Sequence, residues 1–570
     1  MGAYTIPTLP LTGCYHSQQY DARRFMKSNK SPAQRPAADI NRVNTKAAGV
    51  IALAVMCSRV LGLIREQVQA ALFGGGRVMD AFTIAFRVPN FLRDMFAEGA
   101  LSTAFVTTFT KTIATEGDAA AWQLANKVAT LAAVFLSLLC LAGIALAPWI
   151  IAFTAPGFDA GKAALTVHLA RIMYPFILLV SLAALAMGML NARHVFAVPA
   201  MASSFFNMGS IAGGVALGWW LDPHFGERAA TGLALGTLIG GSMQLFVQLP
   251  SLYRLGFRVR PDFRWRDAGV RAILRLMGPA VIAASSVQVN VLVNSIFASN
   301  LVDGSVFSLQ VAFRLMQLPL GMIGVTLGTV SLPVLARLVV AGNIPQFRSE
   351  LARAMRLGFL LTIPATLGLM VLAEPIVSVL YQHGKFGVYE TAEAAGALRF
   401  YAVGLCAYAA LKILVNAFYA IDERKTPMLV SLLAICINAL LGWFFVFDLG
   451  WGQRGLAFST GCVATINFAL LYMLMRRRIG RLQTRIMSVT LAKIGLAGAV
   501  LALIAWAGKQ WLLTDWAHLP LVPKGIYLLA VIVAAGSGFF GCALLLKVNE
   551  LQSVTALLMK KIARGKQGKP

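Results

Sequence analysis

The chain has 570 residues, of which 58% are hydrophobic and only 13% charged, and its mean hydropathy is +0.72. A soluble chain of this length would carry roughly 25% charged residues and form about four domains. The hydrophobic residues suffice instead for about fourteen spans of about 20 residues each. We therefore predict an all-α polytopic membrane protein, which excludes a soluble enzyme with a single anchor.

The charge balance is strongly basic, with 50 Lys and Arg against 23 Asp and Glu. In a soluble protein this excess would indicate nucleic-acid binding. In a membrane protein, cationic loops held in the cytoplasm beside anionic lipid explain it more simply, so no nucleic-acid partner is expected. The seven cysteines include no CxxC pair and mostly lie in apolar runs, which is typical of buried hydrophobic residues rather than of disulfides.

Residues 1–45 are polar and basic and contain no apolar stretch typical of a cleaved signal peptide, so they are predicted to be a disordered cytoplasmic tail. The apolar runs that follow predict fourteen spans. These lie near 47–64, 79–108, 124–150, 165–190, 198–220, 230–251, 272–299, 306–334, 354–380, 392–418, 427–447, 455–475, 487–507 and 525–546. The bias of Lys and Arg toward one set of loops predicts that both termini are cytoplasmic.

Two stretches, in the second and eighth predicted spans, share a pattern that suggests an internal repeat. Each opens with an aspartate, carries a Phe-Arg pair and breaks at a proline: Asp80, Phe86-Arg87 and Pro89 in one, Asp303, Phe313-Arg314 and Pro319 in the other. Transporters are often built from such repeats. We therefore predict an N-terminal six-helix lobe (46–251), a basic cytoplasmic linker (252–271), a C-terminal six-helix lobe (272–478), two extra helices (479–546) and a basic cytoplasmic tail (547–570).

Several cations lie inside predicted spans, where a central arginine costs roughly 2.5–3.5 kcal/mol and usually faces a cavity or the protein interior. Arg59 and Arg65 are six residues apart, roughly 9 Å along a helix axis, so both can line one cavity. The alternative for Arg65 is a position at the outer interface with lipid. The other cations predicted within spans are Arg87, Arg93, Arg171, Arg314, Arg399 and Lys412.

Arg93 follows the Pro89-Asn90 break, where irregular backbone can border a cavity. Glu98 either neutralises Arg93 between substrate visits or forms a structural pair with it. Asp80 either N-caps its span or belongs to an ion-pair gate.

Enzyme chemistry finds little support in the sequence. The six histidines are scattered and form no HExxH motif, and no Walker A sequence is present, because Gly74-Gly75-Gly76 lacks the Lys-Ser/Thr that would follow and is predicted to be a tight extracellular turn. Neither a cofactor nor a metal is expected. A drug or cation antiporter would need buried carboxylates, whereas this chain buries arginines, which favours an anionic substrate. A structural scaffold would have little reason to bury cations.

The sequence resembles the MurJ (MviN) family of lipid II flippases from about residue 46 to 546. The resemblance rests on motifs that occur in order along the chain: SRVLGLIRE (58–66), FGGGRVMDAFTIAFRVPNFLRDMFAEGALSTAF (73–105), TAPGF (154–158), YPFILL (174–179), RLMQLPLGMIGVTLGTVSLP (314–333), QHGKF (382–386) and KTP (425–427). It implies the fold of the multidrug/oligosaccharidyl-lipid/polysaccharide exporter superfamily, with two six-helix lobes around a central cavity. The two extra helices would form a groove for a lipid tail.

The resemblance also implies roles for individual residues. The substrate-binding residues are expected to be Arg59, Arg65, Arg93 and Arg314 with Ser58 and Asn90, and the gating or charge partners Asp80, Glu98 and Glu66. The eighth span departs from the family pattern, since Val311-Ala312-Phe313 precedes Arg314. We therefore expect Arg314 to lack an acidic partner, with Gln317 a weaker substitute. Some members bind sodium through carboxylates between the seventh and eleventh spans, where this chain offers only Asn290, Asn294 and Asn438.

The function that the resemblance implies is transport rather than catalysis. The expected substrate is lipid II, the undecaprenyl-pyrophosphate-linked peptidoglycan precursor, carried by a monomer from the inner to the outer face of the bacterial cytoplasmic membrane by alternating access. Guanidinium groups suit this role because they bind phosphate oxygens bidentately and stay charged. The alternatives are a flippase for another undecaprenyl-linked polysaccharide unit and a drug exporter of the same superfamily.

Overall fold

The computed structural model describes residues 45–94, 101–513 and 519–552. Within these ranges the chain is helical and contains no β-strand, which confirms the predicted all-α class. The predicted tail at 1–45 lies almost wholly outside the described residues, as do Glu98 and most of the tail at 547–570. The helices are α1 (Thr45–Phe73), α2 (Arg77–Arg93), α3 (Ser102–Glu116), α4 (Asp118–Thr154), α5 (Ala160–Met173), α6 (Phe176–Ala192), α7 (Ala197–Leu221), α8 (Ala229–Phe246), α9 (Leu249–Arg254), α10 (Ala268–Ser299), α11 (Ser305–Leu320), α12 (Thr326–Val340), α13 (Ile344–Val371), α14 (Ala373–Tyr381), α15 (Val388–Val403), α16 (Leu405–Ala420), α17 (Lys425–Trp443), α18 (Gly452–Ile479), α19 (Thr484–Leu512) and α20 (Leu521–Leu545).

Ten helical segments in the described part of the chain are long and apolar enough to cross a membrane, or eleven if the bent pair α15 and α16 forms one span. The chain is thus a multi-span membrane protein. The order of the helices is consistent with the fourteen predicted spans, and that number stays a prediction.

Several predicted spans are interrupted helices. The span predicted at 165–190 is divided between α5 and α6 at Pro175, whose ring cannot supply a backbone N–H to a continuous helix. The span predicted at 392–418 bends by 43° between α15 and α16. A π-helical segment at Gly321–Val325 joins α11 to α12 just after Pro319. Such interruptions often occur at functional sites.

Small residues allow α7 and α8 to pack closely against each other. A Cβ built on Gly232 would lie 2.2 Å from Gly218 N, and one built on Gly236 would lie 2.4 Å from Gly214 N. Side chains at these positions would collide with backbone, so only glycine permits this approach. This is the packing that membrane helices commonly use, because lipid provides no hydrophobic drive for helix association.

We call α1–α9 the first half and α10–α18 the second half of the chain. The segment between α9 and α10 is held against α4, where Lys127 Nζ donates to Asp267 Oδ2 at 2.6 Å. This hydrogen bond lowers the pKa of Asp267, whose carboxylate also caps the first turn of α10 through Gly269 N. The two predicted lobes and the linker at 252–271 remain a proposed division.

Helices α19 and α20 pack on each other and, through α19, on α13. Ile494 and Leu501 of α19 and Phe539 of α20 are buried in one apolar cluster with Leu360 of α13. The remaining surfaces of both helices carry exposed apolar side chains such as Leu496, Leu503 and Leu529. The core of the candidate site lies elsewhere, between α1, α2 and α8 of the first half and α10 and α11 of the second half.

Candidate functional site

A polar cavity of about 530 Å³ lies between the two halves of the chain. Three arginines and two carboxylates line it, together with amide, hydroxyl and aromatic side chains. The lining comes from α1 (Arg65, Glu66, Gln69), α2 (Phe82, Thr83, Phe86, Arg87, Asn90, Phe91, Asp94), α8 (Thr237), α10 (Gln288, Val291) and α11 (Gln310, Phe313, Arg314, Gln317).

Arg65 contributes a buried charge that is only partly compensated in this cavity. Its Nε is buried and has no hydrogen-bond partner in the described part of the chain. Its guanidinium lies 5.0 Å from the ring centroid of Phe206 and interacts electrostatically with the charges of Glu66, Arg314 and Arg93. A buried donor that lacks an acceptor is energetically unfavourable, so a bound anion would stabilise this side chain.

Arg314 has an acidic partner, and the expectation that it lacks one is wrong. Its Nη2 forms an ion pair with Glu66 Oε1, and Glu66 Oε2 accepts a hydrogen bond of 3.3 Å from the Tyr381 hydroxyl. The side chain of Glu66 is 3% exposed and that of Arg314 is 42% exposed. The sequence before Arg314 could not reveal this partner because it comes from α1, in the other half of the chain.

Arg87 and Asp94 connect the cavity to α10. Arg87 Nη1 donates to Ser295 Oγ, and Gln288 Nε2 donates to Asp94 Oδ2 at 3.0 Å. Arg93 does not line the cavity directly; it forms a 2.7 Å ion pair with the neighbouring Asp94. Glu98 lies outside the described residues, so the structure offers no test of the Arg93–Glu98 pairing.

The remaining predicted binding residues are placed differently. Asn90 lines the cavity, whereas Arg59 and Ser58 do not. Arg59 is exposed on α1, and its Nη1 would lie 3.8 Å from a Cβ built on Gly321 in the second half. The Ser58 carbonyl accepts a hydrogen bond from Asn207 Nδ2. The structure thus brings Arg65, Arg314 and Asn90 to one cavity and leaves Arg59, Ser58 and Arg93 outside its lining.

Asp80 joins the two halves one helical turn from the cavity-lining Thr83. It is 1% exposed and pairs at 2.9 Å with Lys162 Nζ, which also donates to Asp303 Oδ1 at 2.7 Å. The Asp80 carboxylate also accepts hydrogen bonds from Gly304 N and Phe307 N at the start of α11. We call Asp80, Lys162, Asp303 and these two amides the outer junction, because the bias of Lys and Arg predicts that this end of the helices faces outward.

Asp80 does not cap its own helix, so the N-cap interpretation of this residue is wrong. Gly76 occupies the N-cap of α2, without a side-chain cap. Asp80 lies one turn inside α2 and satisfies amide groups at the N-terminus of α11, where the helix dipole favours a negative charge. The two aspartates that open the repeated stretches therefore meet at a single lysine.

Further contacts surround the outer junction. Arg77 donates two hydrogen bonds to Asp159, which hold the pKa of that carboxyl well below its usual range. Asp159 also caps α5, the helix that carries Lys162. From the second half, Lys385 Nζ donates to the carbonyls of His224 and Phe225 in the first half. Between α1 and α2, Gly74 adopts a left-handed φ of +77°, as the predicted tight turn requires.

The three asparagines considered for sodium form a closed hydrogen-bonded group. Asn438 Nδ2 donates to Asn290 Oδ1 at 2.6 Å and to Asn294 Oδ1 at 2.8 Å. In this arrangement the Asn438 NH₂ group lies between two amide oxygens, so the three side chains bind one another rather than a cation. The described part of the chain also contains no group of three His, Cys, Asp or Glu side chains arranged to hold a metal.

Sequence reasoning missed Arg87, Lys162 and Tyr381 as members of these sites. The repeated Phe-Arg pair was a usable signal for Arg87, because its counterpart Arg314 lines the same cavity. Lys162 and Tyr381 had no such signal, since each acquires its partner only when distant helices pack.

The family model and the similar proteins of known sequence agree on one family. The model of the family described as lipid II flippase MurJ matches residues 69–526. A lipid II flippase MurJ of Burkholderia cenocepacia is 35% identical over 429 residues, which cover 74% of this chain and 82% of the relative. A probable lipid II flippase MurJ of Buchnera aphidicola subsp. Acyrthosiphon pisum is 34% identical over 436 residues, covering 76% and 84%.

Solved structures show the same fold. The inward closed conformation of a lipid II flippase MurJ matches with a TM-score of 0.68 at 24% identity, covering 86% of this chain and 98% of that one. An inward-facing transporter of the multidrug resistance MATE family matches with a TM-score of 0.62 at 16% identity, covering 77% and 99%. At these identities the likeness concerns the fold alone.

Proposed function

The chain belongs to the lipid II flippase MurJ family, and we propose that it carries lipid II from the inner to the outer face of the bacterial cytoplasmic membrane by alternating access. Its family consists of transporters, and no covalent step is needed for this task. The proposal includes a location in the cytoplasmic membrane with both termini inside, as the distribution of Lys and Arg predicts. Surrounding membrane lipids would be the other partners of a monomer.

The observation that supports this proposal most strongly is how Arg65 and Arg314 are hydrogen-bonded and ion-paired in one cavity between the halves. Arg65 Nε has no acceptor among the described residues, and Arg314 is bound by a carboxylate that competes with any phosphate. A pyrophosphate can satisfy both guanidiniums, since each offers a planar fork that matches phosphate oxygens. The three arginines 65, 87 and 314 against Glu66 and Asp94 leave the lining positive.

Substrate binding would then act on a contact between the halves. Glu66 lies on α1 and Arg314 on α11, so a pyrophosphate that takes Arg314 releases the ion pair that joins these helices. A ligand shifts a conformational equilibrium only through different interactions in the two states. Competition for Arg314 provides such a difference.

The outer junction is the contact that has to separate for release to the outer side. Lys162 of the first half bridges Asp80 to Asp303 of the second half, and the Asp80 carboxylate accepts directly from the α11 amides. Asp80 and Arg87 lie on α2. Asp303 immediately precedes α11, and Arg314 lies on α11. Movement of α11 relative to α2 would therefore change the binding cavity and the outer junction together.

The two extra helices at 479–546 are proposed to hold the lipid tail. A long polyprenyl chain belongs in hydrocarbon rather than among arginines, and α19 and α20 leave apolar side chains exposed beside α13. Gly495 of α19 is open, with no atom within 4 Å of a built Cβ, whereas a Cβ on Gly498 would lie 2.6 Å from Leu367. Gly495 therefore suits a groove, and Gly498 is a packing position against α13. The alternative is that both helices merely pack against the second half.

The test is transport by the purified full chain in proteoliposomes, with and without an imposed membrane potential. One set contains fluorescent lipid II, and another contains an undecaprenyl-pyrophosphate carrier with a different glycan. Movement of lipid II alone supports the proposal. Faster movement of the other carrier would favour the alternative flippase, and movement of neither carrier would reject a role as a lipid-linked sugar flippase.

A further inference from the structure

A second cavity, of about 510 Å³, lies at the outer end of the second half and is separate from the arginine-lined cavity. Its wall is formed by the α10–α11 connection with the start of α11, by α15, and by the α17–α18 connection with the start of α18. The volume falls within the range of about 300–1,000 Å³ that is usual for small-molecule sites. Neither the sequence motifs nor the proposed transport mechanism uses this cavity.

Gln453 gives the cavity an unsatisfied polar group. The residue is 5% exposed, and its Nε2 donates to Glu393 Oε2 while its Oε1 has no partner in the described part of the chain. The carboxylate fixes the orientation of the amide, because only the NH₂ group can donate to it. Gln453 Oε1 is thus a buried acceptor that needs a donor such as a hydroxyl or an amide N–H.

A charged pair stands beside this acceptor. Glu393 Oε1 also accepts from Arg454 Nη2 at 3.2 Å, and half of the Arg454 side chain is exposed. The pocket therefore offers the amide oxygen of Gln453 and the guanidinium of Arg454 from the start of α18, and the carboxylate of Glu393 from α15. A ligand with several hydroxyl groups, each able both to donate and to accept, matches this mixture.

Trp451 supplies an aromatic surface next to these polar groups. Its ring stacks on Phe445, with centroids 5.4 Å apart, and packs against Phe400 at 6.0 Å, while 43% of the residue stays exposed. Gly450 and Gly452, with φ of +66° and +55°, hold the loop on either side of it. The apolar C–H face of a pyranose ring packs well on such a rigid aromatic surface.

We propose that this outer pocket, formed by Trp451, Gln453, Glu393 and Arg454, binds an N-acetylated sugar ring. Either the disaccharide of the substrate after crossing or a free glycan strand would provide such a ring. Gln453 also borders a small space shared with Gly75, Asp303 and Ser305, so the pocket adjoins the outer junction. A sugar bound there would reach the protein on the side where transported substrate leaves. The sugar chemistry stands on the pocket alone, whereas assigning the substrate as its source rests on the proposed function.

The experiment measures binding of N,N′-diacetylchitobiose to the full chain in lipid nanodiscs by saturation-transfer NMR. We expect saturable binding by the unsubstituted protein and at least a fivefold loss of affinity in Trp451→Ala and in Gln453→Leu. Trp511→Ala removes another exposed indole, 81% exposed at the end of α19, and should bind chitobiose normally. Because Gln453 is buried, its variant is checked by thermal melting, and the exposed Trp451 supplies an independent test.

Competition separates the two sugar sources. Displacement of chitobiose by lipid II in the same bilayer identifies the substrate's own disaccharide, and displacement only by soluble peptidoglycan fragments identifies a free glycan. Absence of saturable binding, or binding by the Trp451 and Gln453 variants with the affinity of the unsubstituted protein, would overturn the proposal. This readout needs no transport, so failure of the proposed function would instead appear as lipid II that stays on its original side while chitobiose still binds.

Discussion

Glu66 of α1 and Arg314 of α11 form an ion pair between the two halves of the chain, and Tyr381 donates to the same carboxylate. Glu66 is almost fully buried, so water does not compensate its charge. The compensation comes from Arg314 and Tyr381 of the second half and from the neighbouring Arg65. A buried carboxylate that loses its partners is strongly unfavourable. The pair therefore links the charge of the cavity to the relative position of α1 and α11.

Glu66→Gln is expected to strengthen anion binding and to slow transport. Two unit charges about 4 Å apart in water interact by about 1 kcal/mol, so removing the Glu66 charge should raise anion affinity by roughly fivefold or more. Tighter retention and loss of the tie between the halves would both reduce turnover. Binding of undecaprenyl pyrophosphate to the purified variant measures the first effect. Weaker binding than in the unsubstituted chain would contradict the assignment of Glu66 as a competitor of the phosphate.

Arg65→Lys keeps the positive charge and removes the planar fork. Because Lys offers a point charge rather than a bidentate donor, we expect lipid II transport to fall at least tenfold. Arg399→Lys is the matched control, since Arg399 is an exposed span arginine that pairs with Glu374 outside the cavity. Equal transport by Arg65→Lys and the unsubstituted chain would mean that Arg65 acts only through its charge.

Asp80→Asn should loosen the outer junction. Lys162, whose side chain is 3% exposed, would lose its buried partner, and breaking such a pair typically costs about 3–5 kcal/mol. A single cysteine at Thr83, placed in a cysteine-free background, reports exposure to an impermeant thiol reagent from outside. We expect labelling to rise several-fold.

Asp159→Asn is the control for this measurement, because its pair with Arg77 is exposed and contributes little. Labelling that rises equally in both variants, or in neither, would show that Asp80 does not hold the outer side closed.

The sequence was most informative where the type and position of a single residue were enough to indicate its role. Span cations such as Arg65 and Arg314 could be recognised because burying a guanidinium in lipid is unfavourable, and Asp80 and Asp303 could be recognised as counterparts in two similar stretches. Partners could not be recognised in the same way. Glu66 and Arg314 are joined only by the packing of α1 against the second half, so the sequence around Arg314 wrongly suggested an unpaired arginine.

The same limit applies to helix ends and to hydrogen-bonded groups. Aspartate is common at helix N-caps, yet Asp80 caps α11 rather than its own helix, because Gly76 is the N-cap of α2. Asn438 resembled a possible ligand for sodium, and only its hydrogen bonds to Asn290 and Asn294 reveal a closed group. These outcomes depend on contacts between residues more than 140 positions apart.

Gly495→Trp tests the groove proposed for the lipid tail. A large ring at this open position should obstruct a polyprenyl chain, so we expect transport of lipid II to fall while chain folding is kept. Gly495→Ala is the control, because a Cβ there meets nothing within 4 Å among the described residues and a methyl group leaves room for the chain. Normal transport by a correctly folded Gly495→Trp protein would leave α19 and α20 as supporting helices.

The most direct measurement is the sidedness of lipid II in a bacterium depleted of its own flippase and producing this chain. We expect lipid II to reach the outer face with the unsubstituted chain and with Arg171→Ala; Arg171 is an exposed arginine of α5 that bonds only to the Ile144 carbonyl among the described contacts. With Arg314→Ala, at equal protein abundance, we expect lipid II to accumulate on the inner face. Outer-face lipid II at normal levels in the Arg314→Ala cells would contradict the central claim that this cavity binds the substrate.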